Sequence, residues 1–155
     1  MSSASEENGT TLGHCLCNAI SLAIPLTVEP SLSFICHCRD CQRNASGPYQ
    51  VVVIFPSSSV RINGLDKILK EHTIPGSATL SGSDKVKAFC SLCGCTLFTV
   101  PVKWSGEKTV VRIALFDEGL GKWPPTQEWF VKSRPLWIRA AEGTKESNMA
   151  GGVGI

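Results

Sequence analysis

The chain has 155 residues, enough for one domain with its own hydrophobic core and no need of crosslinks to survive. Lys and Arg number 15 and Asp and Glu 13, so the net charge of +2 gives nucleic acid or a membrane surface little to bind. The longest apolar-looking runs, 19–28 and 49–56, are far too short to cross a bilayer, and residues 1–11 lack the apolar core of a signal peptide. A soluble cytoplasmic protein with reduced thiols is expected.

Residues 1–10 are polar and predicted to be a disordered tail. Thr11 to Val28 alternates as strands, with Gly13 a turn or close-approach point and Pro25 a break. Cys15 and Cys17 would then share one face of the first strand. Ser33 to Cys36 is a short extended run, and Asp40 to Ala45 a single helical turn ended by Ser46-Gly47-Pro48. Tyr49 to Phe55, nearly all β-branched or aromatic, is the clearest strand, and its lack of alternation implies burial on both faces. After the loop at Pro56 to Ser59, strands are predicted at Val60 to Ile62 and Ile68 to Ile74, with Asn63-Gly64 turning between them. Pro75 to Asp84 is a polar loop. Lys85 to Phe89 delivers Cys90, and Leu97 to Val100 returns as the other arm of a hairpin. Thr109 to Phe116 is β-rich, and Gly119 to Pro125 is a loop carrying Trp123. Short strands are expected at Glu128 to Val131 and Leu136 to Ile138, around Arg134-Pro135. The glycine-containing residues 143–155 are predicted to be a flexible tail. The expected fold class is mainly β with very little helix, a single domain over residues 11–142 between two tails.

All 8 cysteines fall in three clusters: Cys15 and Cys17; Cys36, Cys38 and Cys41; Cys90, Cys93 and Cys95. In a reducing compartment such spacing points to a metal rather than to disulfides. Reduced thiolates are soft anions, and zinc is their natural tetrahedral partner. Cys90-Ser91-Leu92-Cys93-Gly94 has the form of a zinc knuckle, with glycine where backbone amides approach the sulfurs. One C-x-C pair and the C-x-x-C pair make a closed four-sulfur site. A three-thiol C-x-C-x-x-C site leaves one coordination position open, the arrangement that can catalyse, unless Cys95 fills it. Spacing alone does not say which clusters pair.

These motifs resemble the glutathione-dependent formaldehyde-activating enzyme family, which includes the centromere protein V-like proteins. The resemblance rests on Gly13-His14-Cys15-Leu16-Cys17, on Cys36-His37-Cys38-Arg39-Asp40-Cys41-Gln42-Arg43 followed by Ser46-Gly47, and on Phe89-Cys90-Ser91-Leu92-Cys93-Gly94 followed by Leu97-Phe98. Val131-Lys132-Ser133-Arg134-Pro135-Leu136-Trp137 is similar to the family's closing segment. The resemblance implies a zinc-stapled β-tent, the Mss4-like fold. It implies a structural zinc on Cys15, Cys17, Cys90 and Cys93, and a second, catalytic zinc on Cys36, Cys38 and Cys41. It also implies glutathione as cosubstrate and a carbon–sulfur lyase reaction like that of S-(hydroxymethyl)glutathione synthase. Cys95 departs from the pattern, where a small hydroxyl residue is more usual; a buried thiol is the favoured reading, over a rival ligand or a reactive group.

Other residues have plainer readings. His37 lies between two proposed ligands and on a strand would point away from them, in a supporting role; His14 is read the same way and His72 as surface. Arg39 and Arg43 are solvated or meet glutathione carboxylates. Trp104, Trp123, Trp129 and Trp137 are core residues before they are pocket residues. Asp117 and Glu118 belong to a solvated loop, and Ser133 has no nucleophile's partner in the sequence. The partner expected is a small molecule, a glutathione adduct, with no nucleic acid and no membrane. Two alternatives stand beside the lyase: a diverged metabolite-tailoring enzyme using the open zinc without glutathione, and a non-catalytic zinc-stapled binding module.

Overall fold

The structure, a computed structural model, describes residues 6–7, 9–64 and 67–148. Its strands are β1 (Glu6–Glu7), β2 (Thr10–His14), β3 (Ile20–Pro25), β4 (Leu32–Cys36), β5 (Gln50–Pro56), β6 (Arg61–Gly64), β7 (Leu69–Ile74), β8 (Lys85–Cys90), β9 (Thr96–Pro101), β10 (Lys108–Arg112), β11 (Gln127–Trp129) and β12 (Lys145–Ser147). Two short helices, α1 (Arg39–Ala45) and α2 (Gly119–Lys122), join them, with single 3-10 turns between strands. The fold is mainly β. A small sheet has the order β1-β2-β3-β6 and a large one the order β12-β11-β4-β5-β10-β9-β8-β7. β11 runs parallel to both its neighbours, β4 and β12; the other pairings are antiparallel.

The β-branched run of β5 is buried on both faces because each face meets a different core. Val53 and Phe55 join Ile20, Leu22 and Ile24 of β3, with Ala88, Cys90, Val111 and Trp123, where the small sheet packs on the large one. Val52 and Ile54, the alternate residues, face the other way with Phe34, Cys36, Val110 and Trp129. Gly13 is a true close approach: a Cβ there would stand 3.0 Å from three ring atoms of Phe116.

Several elements differ from the sequence expectation. Asn63-Gly64 is not a hairpin turn, because β6 pairs with β3 in the small sheet whereas β7 pairs with β8 at the edge of the large one. Cys15 and Cys17 lie in the turn between β2 and β3 rather than on a strand face; Asn18, at φ 59°, closes that turn. Strand β10 ends at Arg112, and residues 113–115 form a 3-10 turn that carries Ile113 into the core. Leu136 to Ile138 is a turn, with Leu136 and Trp137 exposed. Residues 119–122, expected in a loop, form α2. Of the predicted N-terminal tail, residues 1–5 and 8 lie outside the described residues and Glu6–Glu7 pairs with β2. Of the predicted C-terminal tail, 149–155 lie outside them, but Lys145–Ser147 is strand β12.

A buried carboxylate anchors that last segment. Glu128 on β11 is 1 % exposed. Its carboxylate accepts hydrogen bonds from His37 Nε2 at 2.7 Å, Arg134 at 2.9 Å, the Ala141 amide and Thr144 Oγ1 at 3.2 Å. Burial alone would raise this carboxyl's pKa, but the Ala141 amide, His37 and Arg134 together hold it below the usual range. A depressed carboxylate contributes stability that is fully present above its unfolded pKa, about 4.3, and lost as pH falls through the folded value. Glu128→Gln is therefore expected to lower stability by about 3–5 kcal/mol at neutral pH, read from the urea midpoint. It should also flatten the acid side of the stability–pH curve. Identical acid slopes in the two proteins would remove Glu128 from this role.

Candidate active site

Three segments bring four sulfurs together. The β2–β3 turn supplies Cys15 and Cys17, the end of β8 supplies Cys90, and the following turn supplies Cys93. Their ligand atoms all lie within 4.8 Å of one another. Sulfurs about 2.3 Å from a zinc ion at tetrahedral angles stand about 3.8 Å apart; here Cys15–Cys17 is 3.6 Å and Cys17–Cys90 is 3.7 Å. The donor set therefore fits zinc. Backbone hydrogen bonds close both turns around the sulfurs. Gly94, at φ 73°, lets its N–H reach the Cys90 carbonyl at 2.8 Å, and the Ile20 amide donates to Cys15 Sγ at 3.4 Å. Burial opposes ionisation of Cys93, yet amides of Cys95 and Cys17 bring its thiol down to about 6. Cys17 is pulled down by the Ala19 amide but ends at about 12, because burial and three neighbouring sulfurs outweigh it.

The second cluster holds Cys36, Cys38 and Cys41, again within 4.8 Å. Cys36 ends β4, Cys38 is the N-cap of α1, and Cys41 lies within the helix. Helix α1 is short, with Asp40 in its first turn and Arg43 in its last, the signs that suit the peptide dipoles. Left-handed Ser46 ends it. Of the three thiols, Cys38 is the one whose ionisation its neighbours favour most. Cys38 is held down to about 2 by hydrogen bonds from Cys36 and Cys41 and by the Cys41 amide. Cys36 is pushed well up by its bonds to Cys38 and Cys41 and by burial. Cys41 is pulled down by Cys36, but Cys38 and burial carry it to about 12. Three converging sulfurs make a seat that a bound cation would complete by displacing their protons. Cys95 belongs to neither cluster; it is half-buried, not buried, and its thiol points at the Thr96 carbonyl, 3.8 Å away. All eight thiols are free.

The two clusters occupy opposite faces of the large sheet. Cys15 and Cys90 lie in the core between the sheets, whereas Cys36 and Cys38 lie with Phe34, Val52 and Trp129 on the other face. That face floors an open groove of about 1870 Å³ that runs on past the sheet end to Cys15 and Cys93 of the four-sulfur cluster, above the roughly 300–1,000 Å³ typical of small-molecule sites. Trp129 stacks on Phe34 at 3.8 Å, and Trp104 packs beside the same cluster. Lys85 on β8 reaches Asp40 on α1 at 2.7 Å, and Thr96 Oγ1 donates to Asn44 at 2.8 Å, so the helix bearing Cys41 is tied to the sheet at two points.

Among the residues with plainer readings, His37 is fully buried and turned to Glu128, away from the sulfurs. His14 and His72 are exposed, and Arg39 sits at the surface 3.4 Å from Gln42. Trp123 is core, Trp137 surface. Sequence reasoning missed Gln50, Lys85, Lys87 and Arg112, which line the groove. A signal was there for Arg112: a lone cation inside the apolar run Val110 to Ile113.

The fold and its sulfur clusters define a mainly β protein equipped to hold two metal ions, zinc by the chemistry of the donors. The sequence model of the glutathione-dependent formaldehyde-activating enzyme family matches residues 10–133, and the chain belongs to that family. Among solved structures it is similar to the crystal structure of a Rhodobacter sphaeroides protein, a structural genomics target. The TM-score is 0.52 at 15 % identity over 89 % of this chain and 100 % of the other, a likeness of fold. Comparison with curated proteins found no match. Among the described residues no helix is long and apolar enough to cross a membrane.

Proposed function

We propose that the protein is a zinc-dependent carbon–sulfur lyase that makes or breaks the bond between glutathione and formaldehyde or a related small electrophile. Cys36, Cys38 and Cys41 are the catalytic metal ligands of this reading; Cys15, Cys17, Cys90 and Cys93 hold a structural zinc. The observation that carries it is the three-sulfur cluster on a groove wall, with no fourth ligand from the chain among the described residues. Zinc, if held by Cys36, Cys38 and Cys41, would supply Lewis acidity and would lower the pKa of an incoming thiol. The protein's own groups set the stage. Strand β4 and helix α1 fix the three sulfurs, and the His37–Glu128 bond holds β4 against β11. Phe34, Trp104 and Trp129 line the groove with apolar surface, which thins the water around a reacting thiol. Eight unbridged thiols suit the reducing cytoplasm.

The size of the groove favours one second reading, a diverged tailoring enzyme acting on a larger metabolite at the same cluster. Zinc analysis with a glutathione–formaldehyde exchange assay tests the first. Two zinc ions per chain and faster formation and exchange of S-(hydroxymethyl)glutathione are expected. Two ions without acceleration would move the assignment to the tailoring reading, and one tight ion to a non-catalytic module.

A further inference from the structure

On the groove floor a polar row leads away from the three sulfurs. Cys36 stands opposite Gln50, and Arg112 opposite Val52, so Gln50 and Arg112 are diagonal neighbours facing the same side. Among the described residues only two buried side-chain polar atoms have no partner, and they are these neighbours' Gln50 Oε1 and Arg112 Nε. Arg112 is 9 % exposed. One of its terminal nitrogens donates to Thr99 Oγ1 at 2.9 Å and the other to the Val110 carbonyl at 3.4 Å. Among the described residues neither a carboxylate nor a cysteine sulfur accepts a hydrogen bond from it. Burial works against its charge, which the three cysteines favour from a distance.

A buried guanidinium with an idle donor, beside an amide with an idle acceptor, is not the arrangement of a satisfied core. It is the complement of a ligand that offers an anionic acceptor next to an N–H donor. The groove is also cationic: Arg43, Lys85, Lys87, Lys103 and Arg112 line it against Asp40 and Asp117, and Asp40 is already engaged by Lys85.

We propose that Gln50 and Arg112 form an anchoring subsite for a thiol substrate bearing a carboxylate with a neighbouring N–H, the grouping found at a peptide C-terminus or an α-amino acid. Arg112 takes the carboxylate and Gln50 accepts from the N–H. The subsite deepens the reading above and rests on it, since a thiol must reach the three sulfurs for the anchor to orient it. Glutathione carries both groups.

The test is calorimetric titration of the zinc-loaded protein with glutathione and with its neutralised diethyl ester. Wild type is expected to bind the acid about 10–100-fold more tightly than the ester, as a charge-assisted hydrogen-bonded anchor requires. Arg112→Gln should weaken the acid to the level of the ester, leave ester binding unchanged, and keep two zinc ions. Gln50→Leu should weaken both probes. The proposal is overturned if wild type does not prefer the acid or binds neither probe. It is equally overturned if Arg112→Gln weakens both probes alike or sheds zinc, which would make Arg112 a counter-charge for the sulfurs. Should Arg112→Gln fail to fold, Gln50→Leu decides: weaker binding of both probes supports the subsite, and unchanged binding overturns it. Preference for the acid without turnover of glutathione and formaldehyde would sink the lyase reading and spare the subsite; turnover without preference would do the reverse.

Discussion

Cys90→Ala is expected to leave no stably folded protein. Cys90 is wholly buried, its sulfur is 3.7 Å from that of Cys17, and it belongs to the core that joins the two sheets. The four-sulfur cluster ties the β2–β3 turn of the small sheet to the β8–β9 hairpin of the large one. Structural zinc binding by such sites contributes about 10–16 kcal/mol. A domain's whole stability is about 5–15 kcal/mol, so losing even part of that binding removes the margin. The buried position adds a cavity to the loss. Far-ultraviolet dichroism and zinc content of the purified variant check this, with insoluble or unfolded protein and less than one zinc expected. A variant that melted with wild type would show that the small sheet stays docked without its staple.

Cys41→Ala should behave in the opposite way: turnover falls to background, zinc drops from two per chain to one, and the melting curve stays within a few degrees of wild type. Cys41 is half-buried on α1, a helix with no buried residue, and its cluster lies outside the core between the sheets. Truncating such a thiol disturbs little packing. Under the proposed function the chemical loss is large, because the two remaining sulfurs would not hold a metal ion firmly. Equal loss of folding in Cys41→Ala and Cys90→Ala would argue against separate duties for the clusters.

The grouping of the sulfurs was legible in the sequence only as far as local spacing reaches. C-x-C and C-x-x-C motifs announce thiolate ligands, and alternation located most strands near where they lie. Which sulfurs meet is decided by strand pairing over long range, and there only the family resemblance offered a partition. Asn63-Gly64 shows the limit: its local chemistry is that of a hairpin turn, yet pairing with β3 overrides it. Arg112 and Glu128 were overlooked for a related reason. A charge in an apolar strand reads as surface until its burial is known, and only the fold shows that one faces the groove and the other gathers four donors. The residues after Ala141 looked frayed because their sequence holds little that packs; Lys145–Ser147 pairs with β11, Thr144 reaches Glu128 and Glu146 reaches Arg134, long-range contacts that leave no trace in side-chain pattern.

The parallel seam between β4 and β11 bears on how the protein comes into being. His37, flanked by two of the three cysteines, meets Glu128 across 91 residues of chain. On the ribosome, β4 therefore emerges long before the strand that braces its outer edge. A half-made chain has these cysteines but not their frame, so the three-sulfur seat takes its final form only after Glu128 and the strand that carries it have been made.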